Sequence, residues 1–170
     1  LDIFHNQNER PYTSDGSVNL AHLLVGSEGT LAFTRSLTLK LAELPRAKVL
    51  GVVNFPTFRA AMDAAQHIVK LVPTAVELVD RTMIELARDI AIFRPTVDRF
   101  VRGEPDAVLL VEFAGDTLEP CLRKLRQLVE LMGDLGFPGS VVEATDPKFQ
   151  SEIWEVRKQG LGGEVLAYVW

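Results

Sequence analysis

One cysteine, Cys121, stands in the 170-residue chain, and that scarcity removes several kinds of protein at once. A lone thiol makes no internal disulfide and no cysteine-rich metal cluster, and it suits a reducing compartment, so a cytoplasmic setting is expected. Histidine is nearly as scarce. His5, His22 and His67 are scattered and none has a second ligand four residues on, so no metal site is expected. Positive charge is in deficit: 18 Lys and Arg stand against 23 Asp and Glu, giving a net charge of −5 and a pI near 5.2. That balance excludes a basic surface for nucleic acid or an anionic membrane, and leaves a small molecule or another protein as partner. No apolar run approaches the ~20 residues of a membrane-spanning helix, and no signal peptide is visible.

What is present is ordinary globular composition, 47% hydrophobic and 24% charged. The chain starts at Leu1 without a methionine and stops at Trp170 without a polar tail, so it is expected to be a piece of a longer protein. Residues 1–22 are polar and turn-rich. From Leu31 the pattern alternates: Leu31, Phe33, Leu37, Leu39 and Leu41 share one face, with Thr34, Ser36, Thr38 and Lys40 on the other, which predicts one long strand or two short ones. Residues 42–47 read as a linker.

Beyond it, strand and helix signals alternate. VLGVVNF (49–55) reads as a buried strand, and Pro56-Thr57 opens a helix that Pro73 stops. Residues 75–79 form a short strand, and Asp80 caps a helix through Leu86. Residues 92–106, with Pro95, Gly103 and Pro105, read as a loop. AVLLVEF (107–113) is a second buried strand. Asp116 or Thr117 caps a long helix, with Glu119 placed for a capping box. SVVEA is a strand, and Asp146-Pro147 starts a last helix that runs to about Gly160. This order predicts an α+β fold: a ferredoxin-like sandwich, its mostly antiparallel sheet carrying two long helices on one face.

Two places carry candidate chemistry. Residues 26–30, GSEGT, place two glycines around polar side chains. Glycine permits positive φ and close approach of a ligand, and successive N–H groups in such a turn form an anion-binding concavity. The spacing matches neither a Walker A loop nor G-x-G-x-x-G, so a hairpin-like turn and a phosphate or cofactor loop both stand open. Arg157 is the second place. Its guanidinium is a planar fork for a carboxylate, with Trp154 one turn earlier to wall a pocket, but from the residues alone an exposed pairing with Glu152 or Glu155 is the default reading. Glu77 reads as a strand-end glutamate rather than half of an acid pair with Asp80, and Cys121 has no histidine partner to make it a nucleophile.

VGSEGTL (25–31), followed by alternating residues and then Thr38-Leu39-Lys40-Leu41 and Leu44-Pro45, resembles the signature that closes the FAD-binding domain of the vanillyl-alcohol-oxidase/PCMH flavoprotein superfamily. The departures are Ala32, Phe33 and Ser36. Downstream, VVNF, AVELVD, LLVEFAGD and WEVRK resemble the substrate cap of FAD-linked oxidases. The set is similar to D-lactate, glycolate and D-2-hydroxyglutarate dehydrogenases, and FHNQNERPYTSDGSVNLAHLLVGSEGTLAFTRS most resembles their long bacterial branch with an iron–sulfur C-terminal region.

The resemblance implies residues 1–46 as the end of a PCMH-type FAD-binding domain and 47–170 as a partial cap. It implies FAD as cofactor, with Gly26, Ser27, Glu28, Gly29, Thr30, Leu31, Ala32 and Phe33 on the cofactor side. It implies a small D-2-hydroxy acid as substrate, oxidised to the 2-oxo acid by hydride transfer to the flavin, with Arg157 on the substrate carboxylate. Electrons would pass to a further acceptor. The resemblance places catalytic residues, a divalent metal and iron–sulfur clusters outside this chain, so the chain alone would be inactive, and it leaves room for a membrane-associated parent. The alternative is a non-enzymatic ferredoxin-like ligand-binding or regulatory module.

Overall fold

The computed structural model describes residues 18–38, 41 and 43–167, with side chains as far as 159. The turn-rich stretch 1–17, Leu39, Lys40 and Ala42 of the alternating run and its linker, and 168–170 lie outside it. Two units make up the chain, Leu1–Glu43 and Leu44–Trp170.

In the first unit a short helix, α1 (Ala21–Leu24), begins where the Asn19 side-chain oxygen accepts the Ala21 N–H at 3.0 Å. Turns follow it, and then residues 32–38 run without regular structure. The predicted strand is therefore not formed among the described residues. Phe33 is 95% exposed and Leu41 85%, and Leu31 and Leu37 are exposed with them. Alternation specifies which face of a strand is apolar, but a strand also needs a neighbour to take its N–H and C=O groups. None of residues 31–38 or 41 takes part in a strand ladder.

The second unit holds a four-stranded sheet in the order β2-β3-β1-β4. Its strands are β1 (Ala47–Phe55), β2 (Ala75–Asp80), β3 (Ala107–Gly115) and β4 (Val141–Ala144), and every neighbouring pair is antiparallel. With α2 (Phe58–Ile68) crossing from β1 to β2 and α5 (Leu118–Asp134) from β3 to β4, this is the ferredoxin-like order that the sequence predicts.

Helices cover both faces rather than one. Val49, Val53 and Phe55 with Leu109, Val111 and Phe113 pack beneath α2 and α5. On the opposite face Leu50, Val52, Val108 and Leu110 pack beneath α3 (Arg81–Asp89), α4 (Arg94–Phe100) and α6 (Pro147–Ala167). Burial on both faces is why β1 and β3 read as unbroken apolar runs instead of alternating ones. Each large side chain so enclosed contributes roughly 1.5–3 kcal/mol of burial. Gly51 lets α5 settle closely on β1: a Cβ there would stand 2.6 Å from Leu128 Cδ2 and 3.0 Å from Leu125 Cδ1.

The helix starts follow the sequence signals. Thr57 Oγ1 accepts the Ala60 N–H at 3.1 Å, Asp80 Oδ1 the Met83 N–H at 2.9 Å, and Asp146 Oδ2 the Phe149 N–H at 2.9 Å. At α5 the capping box is not made. Thr117 occupies the cap position without a side-chain bond, and Glu119 instead pairs with Arg126 at 2.9 Å. The stretch expected to be a loop contains α4, because Pro95 falls in a first helical turn, where the missing N–H is not needed. The last helix extends past Gly160 to Ala167.

Candidate functional site

On the face covered by α6 the apolar layer gives way to charge toward the start of β1. Leu50 and Leu110 lie in the core, while Lys48, Glu112 and Glu77 continue the same face. Lys48 Nζ donates to both Glu112 oxygens, at 3.3 and 3.5 Å, and the Glu112 side chain is almost wholly enclosed. A carboxylate held in that position needs its cation, since burial of an unpaired charge is strongly unfavourable. Gln150 fixes α6 over this end by donating to the Lys48 carbonyl at 3.1 Å and to the Ala144 carbonyl at 3.0 Å. The result is an open groove of about 640 Å³, lined among others by Arg46, Lys48, Glu77, Glu112, Trp154 and Lys158.

Arg157 sits beside this groove. Its Nε lies 2.5 Å from Glu77 Oε2, and both side chains are about one-third exposed, at 37% and 34%. That carboxylate oxygen is shut off from solvent and makes no hydrogen bond, so the contact is an ion pair without hydrogen-bond alignment. The residues expected as partners are engaged elsewhere. Glu152 pairs with Arg99 at 3.0 Å, and Glu155 accepts from Gln159 at 2.7 Å. Among the described residues neither Nη nitrogen of Arg157 has a partner. Inward from the guanidinium lies an apolar cavity of about 20 Å³, lined by Met83, Ile84, Phe100, Leu110 and Ile153 among others. Trp154 lines the groove while Arg157 lines the small apolar cavity, so the two do not wall one pocket as their spacing suggested.

The GSEGT segment forms a tight turn. Ser27 accepts the Thr30 N–H at 2.8 Å, and both central residues have positive φ, Glu28 at 47° and Gly29 at 81°. Two successive positive φ values define a type I′ turn, which is why glycine stands at the second position. The Thr30 hydroxyl donates to the Ser27 carbonyl at 2.6 Å, leaving only its lone pairs outward. The N–H groups of Gly26, Glu28 and Gly29 have no acceptor among the described residues, and a Cβ at Gly26 or Gly29 would meet nothing within 4 Å. Leu31, Ala32 and Phe33 follow, all exposed. The turn and Arg157 belong to different units.

Among the described residues there is no cluster of metal-ligating side chains. No helix among them is long and apolar enough to cross a membrane. Cys121 is buried, with its thiol 3.4 Å from the Thr117 carbonyl, and it is not placed as a nucleophile.

Residues 44–169 match the family model for FAD linked oxidases, C-terminal domain. The chain belongs to this family. The chain is 28% identical over 152 residues to a mitochondrial cytochrome-type D-lactate dehydrogenase of Arabidopsis thaliana, covering 89% of this chain and 25% of that protein. It is 30% identical over 153 residues to the D-lactate dehydrogenase of Archaeoglobus fulgidus, covering 87% and 32%. Against the D-2-hydroxyglutarate dehydrogenase of Escherichia coli it is 35% identical over 102 residues, covering 58% and 10%. The chain thus spans a third or less of the length of each relative. Among solved structures, alkyldihydroxyacetonephosphate synthase superposes with a TM-score of 0.55 at 19% identity over 76% of this chain and 26% of that one, a likeness of fold.

Glu77, Lys48 and Glu112 were not singled out as a group by the sequence. A signal existed for one of them: Glu112 interrupts an otherwise apolar strand, AVLLVEF, and a charge in such a run is either paired or functional. Its pairing with Lys48, and that of Glu77 with Arg157, depend on strand register and helix placement across the fold.

Proposed function

We propose that this FAD-linked oxidase C-terminal domain and the turn before it form part of a flavin-dependent dehydrogenase that oxidises a D-2-hydroxy acid to the 2-oxo acid. The observation that carries the reading is the order of the parts: a VGSEGTL turn with free donors, directly followed by a domain of this family. The single cysteine suits a reducing cytoplasm.

The turn fits FAD as a cofactor. Its three uncommitted N–H groups offer donors, its glycines leave room for close approach, and Ser27 adds a hydroxyl. Gly26, Ser27, Glu28, Gly29 and Thr30 would hold the cofactor, with Leu31, Ala32 and Phe33 giving it exposed apolar surface. When bound, FAD supplies the hydride acceptor for the substrate α-hydrogen.

Arg157 binds and orients the acid. With its Nε toward Glu77, the guanidinium has its two Nη nitrogens left for a carboxylate, and paired charged hydrogen bonds of this kind fix direction as well as affinity. Trp154 limits water on the groove side. The base that takes the hydroxyl proton is assigned to no residue of this chain.

Replacing Arg157 by methionine in the full-length protein tests the assignment. A loss of about 1.5–3 kcal/mol from one charged contact corresponds to a KM for 2-hydroxy acids raised roughly 10- to 100-fold. Unchanged KM and kcat would refute Arg157 as the carboxylate ligand.

A further inference from the structure

We infer that Glu77 is the positioning residue for Arg157, setting the direction in which its guanidinium is presented to the substrate carboxylate. The inference rests on the reading of Arg157 given above.

Glu77 stands on β2, a strand laddered to β3 with Glu77 opposite Leu110, so its Cα is fixed by the sheet. Arg157 stands on α6, which Gln150 ties to the sheet at two carbonyls about two turns earlier. Two rigid elements thus bring the charges together, and the flexible part is the arginine side chain between them. An arginine loses much of its rotamer freedom when held in a single geometry, and any of that ordering done before substrate arrives does not weaken binding. Glu77 takes one side of the guanidinium, at Nε, and leaves the Nη pair.

The local surroundings exclude rival anchors. Glu152 and Glu155, the acids nearest in sequence, are engaged by Arg99 and Gln159. Glu112, the other acid enclosed on this face, is held by Lys48. Below the guanidinium the wall is apolar and offers no acceptor side chain. Glu77 is the carboxylate left for Arg157 among the described residues. Its enclosed oxygen makes no hydrogen bond, so the ion pair is what holds the guanidinium beside it.

A purely structural ion pair and a positioning one differ in what a double-mutant cycle reads. The full-length protein is made as Glu77→Gln, Glu77→Ala, Arg157→Met and Arg157→Met with Glu77→Ala. Steady-state kinetics with D-lactate and with D-2-hydroxyglutarate are measured for each, alongside oxalate affinity from quenching of protein fluorescence. Positioning requires Glu77→Ala to raise KM and the oxalate Kd about ten-fold, with kcat changed less and Glu77→Gln intermediate. It also requires Glu77→Ala to have no further effect on either quantity once Arg157 is methionine. Equal effects of Glu77→Ala with and without Arg157 would overturn the inference, and so would a Glu77→Ala protein with unaltered KM and oxalate affinity. If Arg157→Met itself changes neither quantity, it is the assignment of Arg157 that fails, and this inference with it.

Discussion

Asn54 and Arg102 are joined across the second unit by a 2.8 Å hydrogen bond in which the Asn54 side-chain oxygen accepts the Arg102 backbone N–H. The Asn54 amide nitrogen donates to the carbonyls of Phe100, at 3.1 Å, and Ser140, at 3.2 Å. One buried side chain on β1 therefore fastens the end of α4 and the turn leading into β4. Replacing Asn54 by alanine removes three bonds and takes that partner from the enclosed Phe100 carbonyl and the Arg102 N–H, while the Ser140 carbonyl keeps the Asn54 backbone N–H at 2.9 Å. A loss of about 3 kcal/mol is expected, read as a lower denaturant midpoint with an unchanged slope. A change within about 0.5 kcal/mol, the range of ordinary surface substitutions, would show that water replaces the side chain there.

Gly51 tests how tightly α5 lies on the sheet. Valine at this position must displace Leu125 and Leu128, which are fully enclosed, so destabilisation of about 1–3 kcal/mol is expected. Trimming Leu128 to alanine in the same protein should recover part of it, because the two positions share one volume. Thermal unfolding of the single and double variants makes the comparison.

The fold of the second unit was readable from the sequence because its signals are local. Thr57, Asp80 and Asp146 mark helix starts through bonds made three residues away, and the apolar runs of β1 and β3 announce strands buried on two faces. Where the reading missed, the deciding interaction was distant or ambiguous. Pro95 breaks a helix interior but suits a first turn, and nothing nearby distinguishes the two. The run from Leu31 to Leu41 has a strand's alternation, yet pairing depends on a partner elsewhere. Around Arg157 the sequence offered Glu152 and Glu155, five and two residues earlier on the same helix, whereas the carboxylate that meets it is Glu77, brought there by the sheet.

Gly29 tests the proposed link between turn geometry and cofactor binding. Its φ of 81° lies in the region that β-branched residues avoid, so Gly29→Val strains the turn by roughly 1–3 kcal/mol and puts methyl groups into the open side. In the full-length protein this variant is expected to purify with less flavin per polypeptide than the parent. Glu28→Gly, which relieves the other positive φ, should retain it. Flavin-to-protein absorbance ratios decide the matter, and full flavin content in Gly29→Val would remove the turn from the cofactor site.

The most direct measurement of the central claim is anaerobic mixing of the full-length protein with D- and L-forms of 2-hydroxy acids while its visible spectrum is followed. A yellow protein bleached by the D-acid and not by the L-acid, with bleaching weakened in Arg157→Met at low substrate, is the expected result. A colourless protein that takes up no added FAD, or a flavin left oxidised by every D-2-hydroxy acid tried, would contradict it.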